Sequence, residues 1–436
     1  MIAVLFAVAL WILVLVLTRN IEGSWWGPSS IAAVVIGVSS VVPAILERDY
    51  PFSLPANVYL VGAIGMIALG SLLSAYIRPP QTAKIRVSEP SLVIRHRRTF
   101  LIFGLIVSTI SLLATVKALG LPTSAIFSMS RIESAAKTAT QIRYGGGLNF
   151  PLYYNVANGL VLAYVVALSV HMVARRRIDW VLLIPIVPYI LSNVLITVRA
   201  PIIAMLTLAI TSGMLTARWL NPIRRFPRLM NRRTFGKVIL GILFIGIGFY
   251  YVEVLRYGFN SPQRGTILTH LVKYVIGNVP AFEGWFSTRI TDGQTPTGFY
   301  TFMGIYSNLH IAARQVGTYS DYYTLAPNVS TNVYTVFRGL ITDFGFAGSY
   351  VIVFVVGVLG GWASRLRFGG FRMNLAVYIG IASFLAFSPI VSFWSYTSFI
   401  LAIIIGPLLI GVFARPISAT SRPVRGMRAL TERNEL

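Results

Sequence analysis

Six arginines occupy places where a cation is costly. Arg131, Arg143, Arg199, Arg256, Arg264 and Arg338 each adjoin an apolar run or lie in a segment between two such runs. A guanidinium stays charged at any physiological pH and offers a planar fork of donors that grips phosphate oxygens in pairs. Left in hydrocarbon, an arginine costs about 3 kcal/mol or more, so it faces a partner or a cavity. The acids available beside them are Glu133, Glu253, Glu283, Asp292, Asp321 and Asp343. None forms an Asp-x-Asp or a carboxylate pair at the spacing that clamps a magnesium diphosphate. His270 and His310 lack zinc-ligand spacing, so neither a metal nor another cofactor is expected. No P-loop and no Gly-x-Ser-x-Gly elbow occurs, which argues against ATP-driven transport and serine hydrolysis. Without cysteine there is no thiol nucleophile and no disulfide. What remains is an anionic ligand held by arginine.

The stretch NVYTVFRGLITDFGFAGS (332–349) carries two of these charges into a strongly apolar run. Projected at about 100° per residue, Thr331, Asn332, Thr335, Arg338, Gly339, Thr342 and Asp343 share one arc of about 140°, and the opposite face is apolar. One reading is an interfacial helix whose polar face touches water. The other is a ligand-binding face, which a mix of hydroxyls and amides with one cation and one anion suits better than a lysine-rich surface would. Gly345 and Gly348 permit close packing or a bend before the next span. Arg199 stands in a short turn between two apolar runs. Glu253 and Arg256 are one helical turn apart, and the plain reading of that spacing is an intrahelical ion pair. Arg131, Glu133 and Arg143 precede Gly145–Gly147, where a ligand could approach the backbone closely.

The elements that must position these residues are membrane helices. Of 436 residues, 56% are hydrophobic and 11% charged, with a mean hydropathy of +0.72. A soluble domain carries about a quarter charged residues, so the expected fold is an all-α polytopic membrane protein, a single integral domain over 1–436. Apolar runs long enough to span fall at 1–18, 28–46, 56–77, 99–118, 151–173, 180–197, 200–217, 238–254, 345–364, 373–391 and 397–414, eleven in all. The first lacks a basic flank and a cleavage site and is read as a retained span. The net charge of +24 resides in short segments between runs, the signature of topology and anionic lipid headgroups, not of nucleic acid. Placing those basic segments inside leaves the N-terminus outside and the C-terminus inside. Two segments then lie outside: 119–150, and 255–344 between spans eight and nine. The second is rich in Phe, Tyr and Trp, and short helices at the membrane surface are expected there. Its rings suit either an interfacial belt or the flat faces of sugars.

With TNVYTVFRGLITDFGFAG, YVIGNVPAFEGWF and TGFYTFMGI in the large outer loop, the chain resembles the O-antigen polymerase (Wzy) family over most of residues 100–400. The related O-antigen ligases carry a His-Asn pair where this chain has Thr331-Asn332, which argues against a ligase. The resemblance implies an enzyme of the bacterial cytoplasmic membrane with its site on the outer face. It would move a growing glycan from undecaprenyl diphosphate to a sugar hydroxyl of another lipid-linked repeat unit. The implied partners are that lipid-linked oligosaccharide, the bilayer and a chain-length regulator. Arg199, Arg256 and Arg264 would grip the diphosphate, assisted by Arg131 and Arg143. Thr331, Asn332, Thr335 and Arg338 would line the acceptor, and a carboxylate, Asp343 as first candidate and Glu253 as second, would take the proton of the attacking hydroxyl. A ligase-like glycosyltransferase and a transporter without chemistry are the alternatives; a transporter would carry inverted repeats with helices broken near the midplane, and no repeat is visible.

Overall fold

In hydrocarbon a backbone can satisfy its own polar groups only as helix or closed barrel, and the apolar runs of this chain fold as helices wherever they are described. The computed structural model describes residues 2–47, 49–77, 90–144, 150, 152–220, 246–257, 276–288, 297–312, 319, 321–327, 329–366 and 370–416. Its helices are α1 (Ile2–Glu22), α2 (Pro28–Leu46), α3 (Leu54–Tyr76), α4 (Arg97–Ala118), α5 (Met129–Tyr144), α6 (Leu152–Arg175), α7 (Ile186–Leu195) and α8 (Ala200–Leu220). They continue as α9 (246–257), α10 (Asn278–Thr288), α11 (Phe299–Asn308), α12 (Val336–Ser364), α13 (Phe371–Phe387) and α14 (Thr397–Phe413). Seven of them (α1–α4, α6, α8 and α12) are long and apolar enough to cross a membrane, and 181–195, α13 and α14 are shorter apolar helices. These fall on ten of the eleven expected runs. The other run, 238–254, is described only from 246, where it is helical.

Two short strand pairs accompany the helices. Strands β1 (Pro90–Ile94) and β4 (Ala414–Pro416) pair antiparallel, as do β2 (Tyr323–Ala326) and β3 (Val329–Thr331). The outer segment 255–344 therefore holds a β-hairpin beside its short helices α10 and α11, a feature not foreseen in the sequence.

The ninth span differs from expectation. Helix α12 starts at Val336, not at 345, and its path breaks at Gly345 (φ +70°, ψ 175°). Only a residue without Cβ adopts that backbone readily. The limb beyond the break, 346–364, is about 28 Å long at 1.5 Å per residue, close to the hydrocarbon thickness. The preceding limb, 336–344, is buried among the elements of the outer segment.

Helices α3 and α12 approach through small residues spaced four apart, Gly70 and Ser74 against Gly357 and Gly361. A Cβ on Gly357 would lie 2.2 Å from the Ile67 carbonyl oxygen, and one on Gly70 2.2 Å from that of Phe354. Backbone approach of this kind replaces the hydrophobic effect as the source of helix association in lipid. Gly357→Ala is expected to destabilise the protein by about 1–3 kcal/mol through overpacking against backbone that cannot yield, measured as a lowered unfolding midpoint in a fixed detergent.

Contacts sort the helix ends into two groups. At one end Ser53, before α3, bonds Glu283 of α10. There too Val336 donates to the Ser388 carbonyl beyond α13 at 2.8 Å, and Asn308 reaches Thr397 at the start of α14. Gly159 of α6 lies against Leu401 of α14. Tyr154 packs with Leu195 and Ile196, which precede Arg199. Arg199, Arg338, α10 and α11 thus share one end of the bundle. The opposite end holds the β1–β4 pair and Asp179, which lies 3.5 Å from Arg175 and also pairs Arg97. Arg97 and Arg175, which border two of the basic segments, thus lie together at that end.

Candidate functional site

Arg338 is fully buried. Its guanidinium sits 4.0 Å from the ring centre of Tyr319, 4.1 Å from Tyr334 and 5.2 Å from Trp285, so cation–π attraction replaces much of its hydration. Nη1 and Nη2 donate to the two oxygens of Asp321 at 3.0 and 2.9 Å, and the Tyr334 hydroxyl donates to Oδ2 at 2.9 Å. Gly339 makes room for this assembly, since a Cβ there would lie 3.1 Å from both the Tyr319 hydroxyl and Tyr300. Asp321 remains a third exposed. Partial burial alone would raise its carboxyl, but the hydrogen bonds and charge of Arg338, with the Tyr334 hydroxyl, hold it below the ordinary aspartate value. The sequence singles out Arg338 but not Asp321 or Tyr334 as its partners, because a bidentate pair across seventeen residues of non-periodic chain leaves no spacing to detect.

The polar arc of 331–344 is occupied inside the protein. It is not one continuous helix: Thr331 ends β3, and 332–335 are extended up to the start of α12. Asp343, expected as the base, caps α11 instead. Gly298, at that helix start, has φ +83° and no side chain to offer. Asp343 Oδ1 accepts the Tyr300 amide at 3.0 Å, and Oδ2 accepts the Thr301 amide and hydroxyl at 2.7 and 2.6 Å. A carboxylate placed on a helix N-terminus also meets the favourable end of its dipole. Thr331 accepts the Val333 amide at 3.1 Å, and Asn332 reaches the Tyr319 carbonyl at 3.4 Å. The buried Thr335 hydroxyl has no hydrogen-bond partner among the described residues. Of the four residues expected to line an acceptor, only Asn332 is neither buried nor capping its own turn.

The second charged group joins two of the expected diphosphate residues. Arg199, from the α7–α8 turn, pairs Glu253 Oε2, and Arg256 Nη1 lies 3.9 Å from the same oxygen. Glu253 is almost fully buried and its arginines are mostly buried. The intrahelical pair expected of Glu253 and Arg256 is therefore the longer of its two contacts, and the inter-helix bond to Arg199 is the principal one. Two guanidiniums thus share one carboxylate oxygen. Glu253 is engaged with them and is not an open base in this arrangement. Arg131, by contrast, is exposed on α5 and bonds Ser124 at 3.2 Å. The backbone of Arg143 closes α5, while Arg264 and Gly145–Gly147 lie outside the described residues.

A third carboxylate, Glu283, ties the outer segment to the bundle. Its oxygens accept the Ser53 amide at 2.7 Å and the Asn57 side chain at 2.9 Å, and Trp11 donates to that same asparagine at 3.0 Å. Burial pushes the Glu283 carboxyl up to about 8 despite these bonds. Unfolded glutamate titrates near 4.5, so between these values the folded state binds the extra proton. The contribution of this group is greatest below about 4.5 and falls with rising pH by about 1.4 kcal/mol per unit until about 8. Glu283→Gln is expected to flatten that slope in unfolding midpoints taken across pH 5–8.

Comparisons of the chain with protein-family models, with curated proteins and with solved structures each find no match.

Proposed function

We propose that this protein is a metal-independent glycosyltransferase of the bacterial cytoplasmic membrane that polymerises lipid-linked oligosaccharide repeat units on its outer face. The observation that carries this reading is the shared-carboxylate cluster of Arg199, Glu253 and Arg256 at the same end of the bundle as Arg338, α10 and α11. Guanidinium groups held at the edge of a low-dielectric region attract a diphosphate and stabilise the charge that develops as it leaves. Arg264, Arg131 and Arg143 are the further candidates for that anion. The glycan would pass from undecaprenyl diphosphate to a sugar hydroxyl of a second lipid-linked unit, with no nucleotide required. The break in α12 bears on the transporter alternative: it lies at the edge of the spanning limb, not at mid-depth where alternating-access proteins interrupt their helices.

Reconstitution with a lipid-linked repeat unit is expected to yield a ladder of longer glycans that Arg256→Ala abolishes; an unchanged ladder would remove the diphosphate assignment. Asp343 separates into cap and base by two variants. Asp343→Asn keeps an acceptor for the α11 amides and is expected to leave the ladder intact, whereas Asp343→Ala uncaps α11 and costs about 1 kcal/mol or more. Loss of turnover in a stably folded Asp343→Asn would restore it as the base.

A further inference from the structure

Asp321 combines two properties that the other described carboxylates at this end do not share. It is fixed from behind by a fully buried arginine, and a third of it is open to solvent. Glu253 and Glu283 are buried against their partners, and Asp343 faces the amides of α11. Glu133, on the exposed helix α5, is held by a surface lysine, Lys137, at 2.7 Å. Here the cation is enclosed by three rings while the anion is presented outward. Its plane is set by the arginine fork and the Tyr334 hydroxyl. Such a carboxylate is ionised and accepts hydrogen bonds only, so it repels phosphate and selects hydroxyl donors. Tyr322, the next residue, is 58% exposed and offers an aromatic face of the kind that covers the apolar side of a sugar ring. The exposed Thr324 follows on the same hairpin, its hydroxyl 3.3 Å from Ser330.

We propose that Asp321 and Tyr322 form the acceptor-sugar subsite, with Asp321 taking the hydrogen bond and then the proton of the attacking hydroxyl. This rests on the glycosyltransferase reading above. As the hydroxyl oxygen bonds to the anomeric carbon of the donor glycan, the bond from that carbon to the lipid diphosphate breaks and the diphosphate departs with the electron pair. The hydroxyl proton passes to Asp321 and from there to water. Arg338 is a positioning residue: it touches the carboxylate, not the sugar.

The full-length protein in nanodiscs tests this with two substrates. The donor is a lipid-diphosphate-linked repeat unit, held at fixed concentration. The acceptor is the same repeat unit on an alkyl chain without diphosphate, which can accept but not donate. Tyr322→Ala is expected to raise the half-saturating acceptor concentration about tenfold, with the unfolding midpoint and the donor dependence unchanged. Asp321→Asn is expected to lower turnover about a hundredfold or more at saturating acceptor. If the wild type extends the acceptor and Tyr322→Ala saturates like it, the subsite is overturned and the glycosyltransferase reading stands, and this result is decisive even where Asp321→Asn does not fold. If the wild type extends nothing, both readings fall together.

Discussion

Asp321→Ala is expected to destabilise the protein by about 3–5 kcal/mol, more than Arg338→Met does, although arginine is much the larger side chain. Removing one partner of an ion pair costs most when the charge left behind is buried. Arg338 is 0% exposed and Asp321 is 34% exposed, so loss of the carboxylate takes the bidentate anion from a guanidinium that cannot reach water. Loss of the arginine leaves a carboxylate that still binds the Tyr334 hydroxyl and can rehydrate, and methionine fills the space among Tyr319, Tyr334 and Trp285. The three rings retain part of the cation's stabilisation, which places the effect of Asp321→Ala toward the lower end of the range. Arg338→Lys keeps a charge but loses the fork that matches two carboxylate oxygens and is expected to fall between the two. Unfolding midpoints in one detergent would order the three variants; a larger loss in Arg338→Met than in Asp321→Ala would mean that the rings, not the ion pair, hold this part of the fold. Acid acts in the same direction. The folded-state carboxyl lies below its ordinary value, so its contribution is present above about pH 4 and is lost as pH falls through the folded pKa.

The helices are legible in the sequence because hydrocarbon imposes one rule on every span. Side-chain partners are not legible to the same degree. Periodicity separates the arc of Arg338 and Asp343 from its apolar neighbours, but it says that residues share a face, not what that face meets. The chain is poor in acids, with 13 against 37 basic residues, and it uses several of them to cap helices across the fold: Glu22 accepts two amides at the start of α2, and Asp343 does so for α11. A cap supplied by a distant element leaves no local Ser/Thr/Asp signal before the helix. The same limit hides Asp321, whose partner lies seventeen residues on, beyond the β2–β3 hairpin. Gly345 is legible as a bend, because a positive φ needs a residue without Cβ wherever it occurs.

Glu253→Gln is expected to be the most damaging substitution at the arginine cluster, and a second substitution should partly repair it. With the carboxylate gone, Arg199 and Arg256 confront each other across a region where Glu253 itself is only 1% exposed, and like charges there repel with little screening. A loss of about 3–5 kcal/mol follows from the uncompensated charge. Arg199→Met alone removes the partner of the principal bond but leaves Arg256 to move onto Glu253, and it should cost less. In the double variant Arg199→Met/Glu253→Gln one guanidinium remains beside a neutral amide, so its stability should exceed that of Glu253→Gln alone. The deviation from additivity measures the coupling, since residues in one charged network do not act independently. Activity should part from stability in the same series. If Arg199 and Arg256 together bind the lipid diphosphate, the repaired double variant folds yet extends glycans poorly, because one of the two guanidiniums that stabilise the leaving group is gone. A double variant restored in both respects would show that the cluster only holds α8 and α9 together.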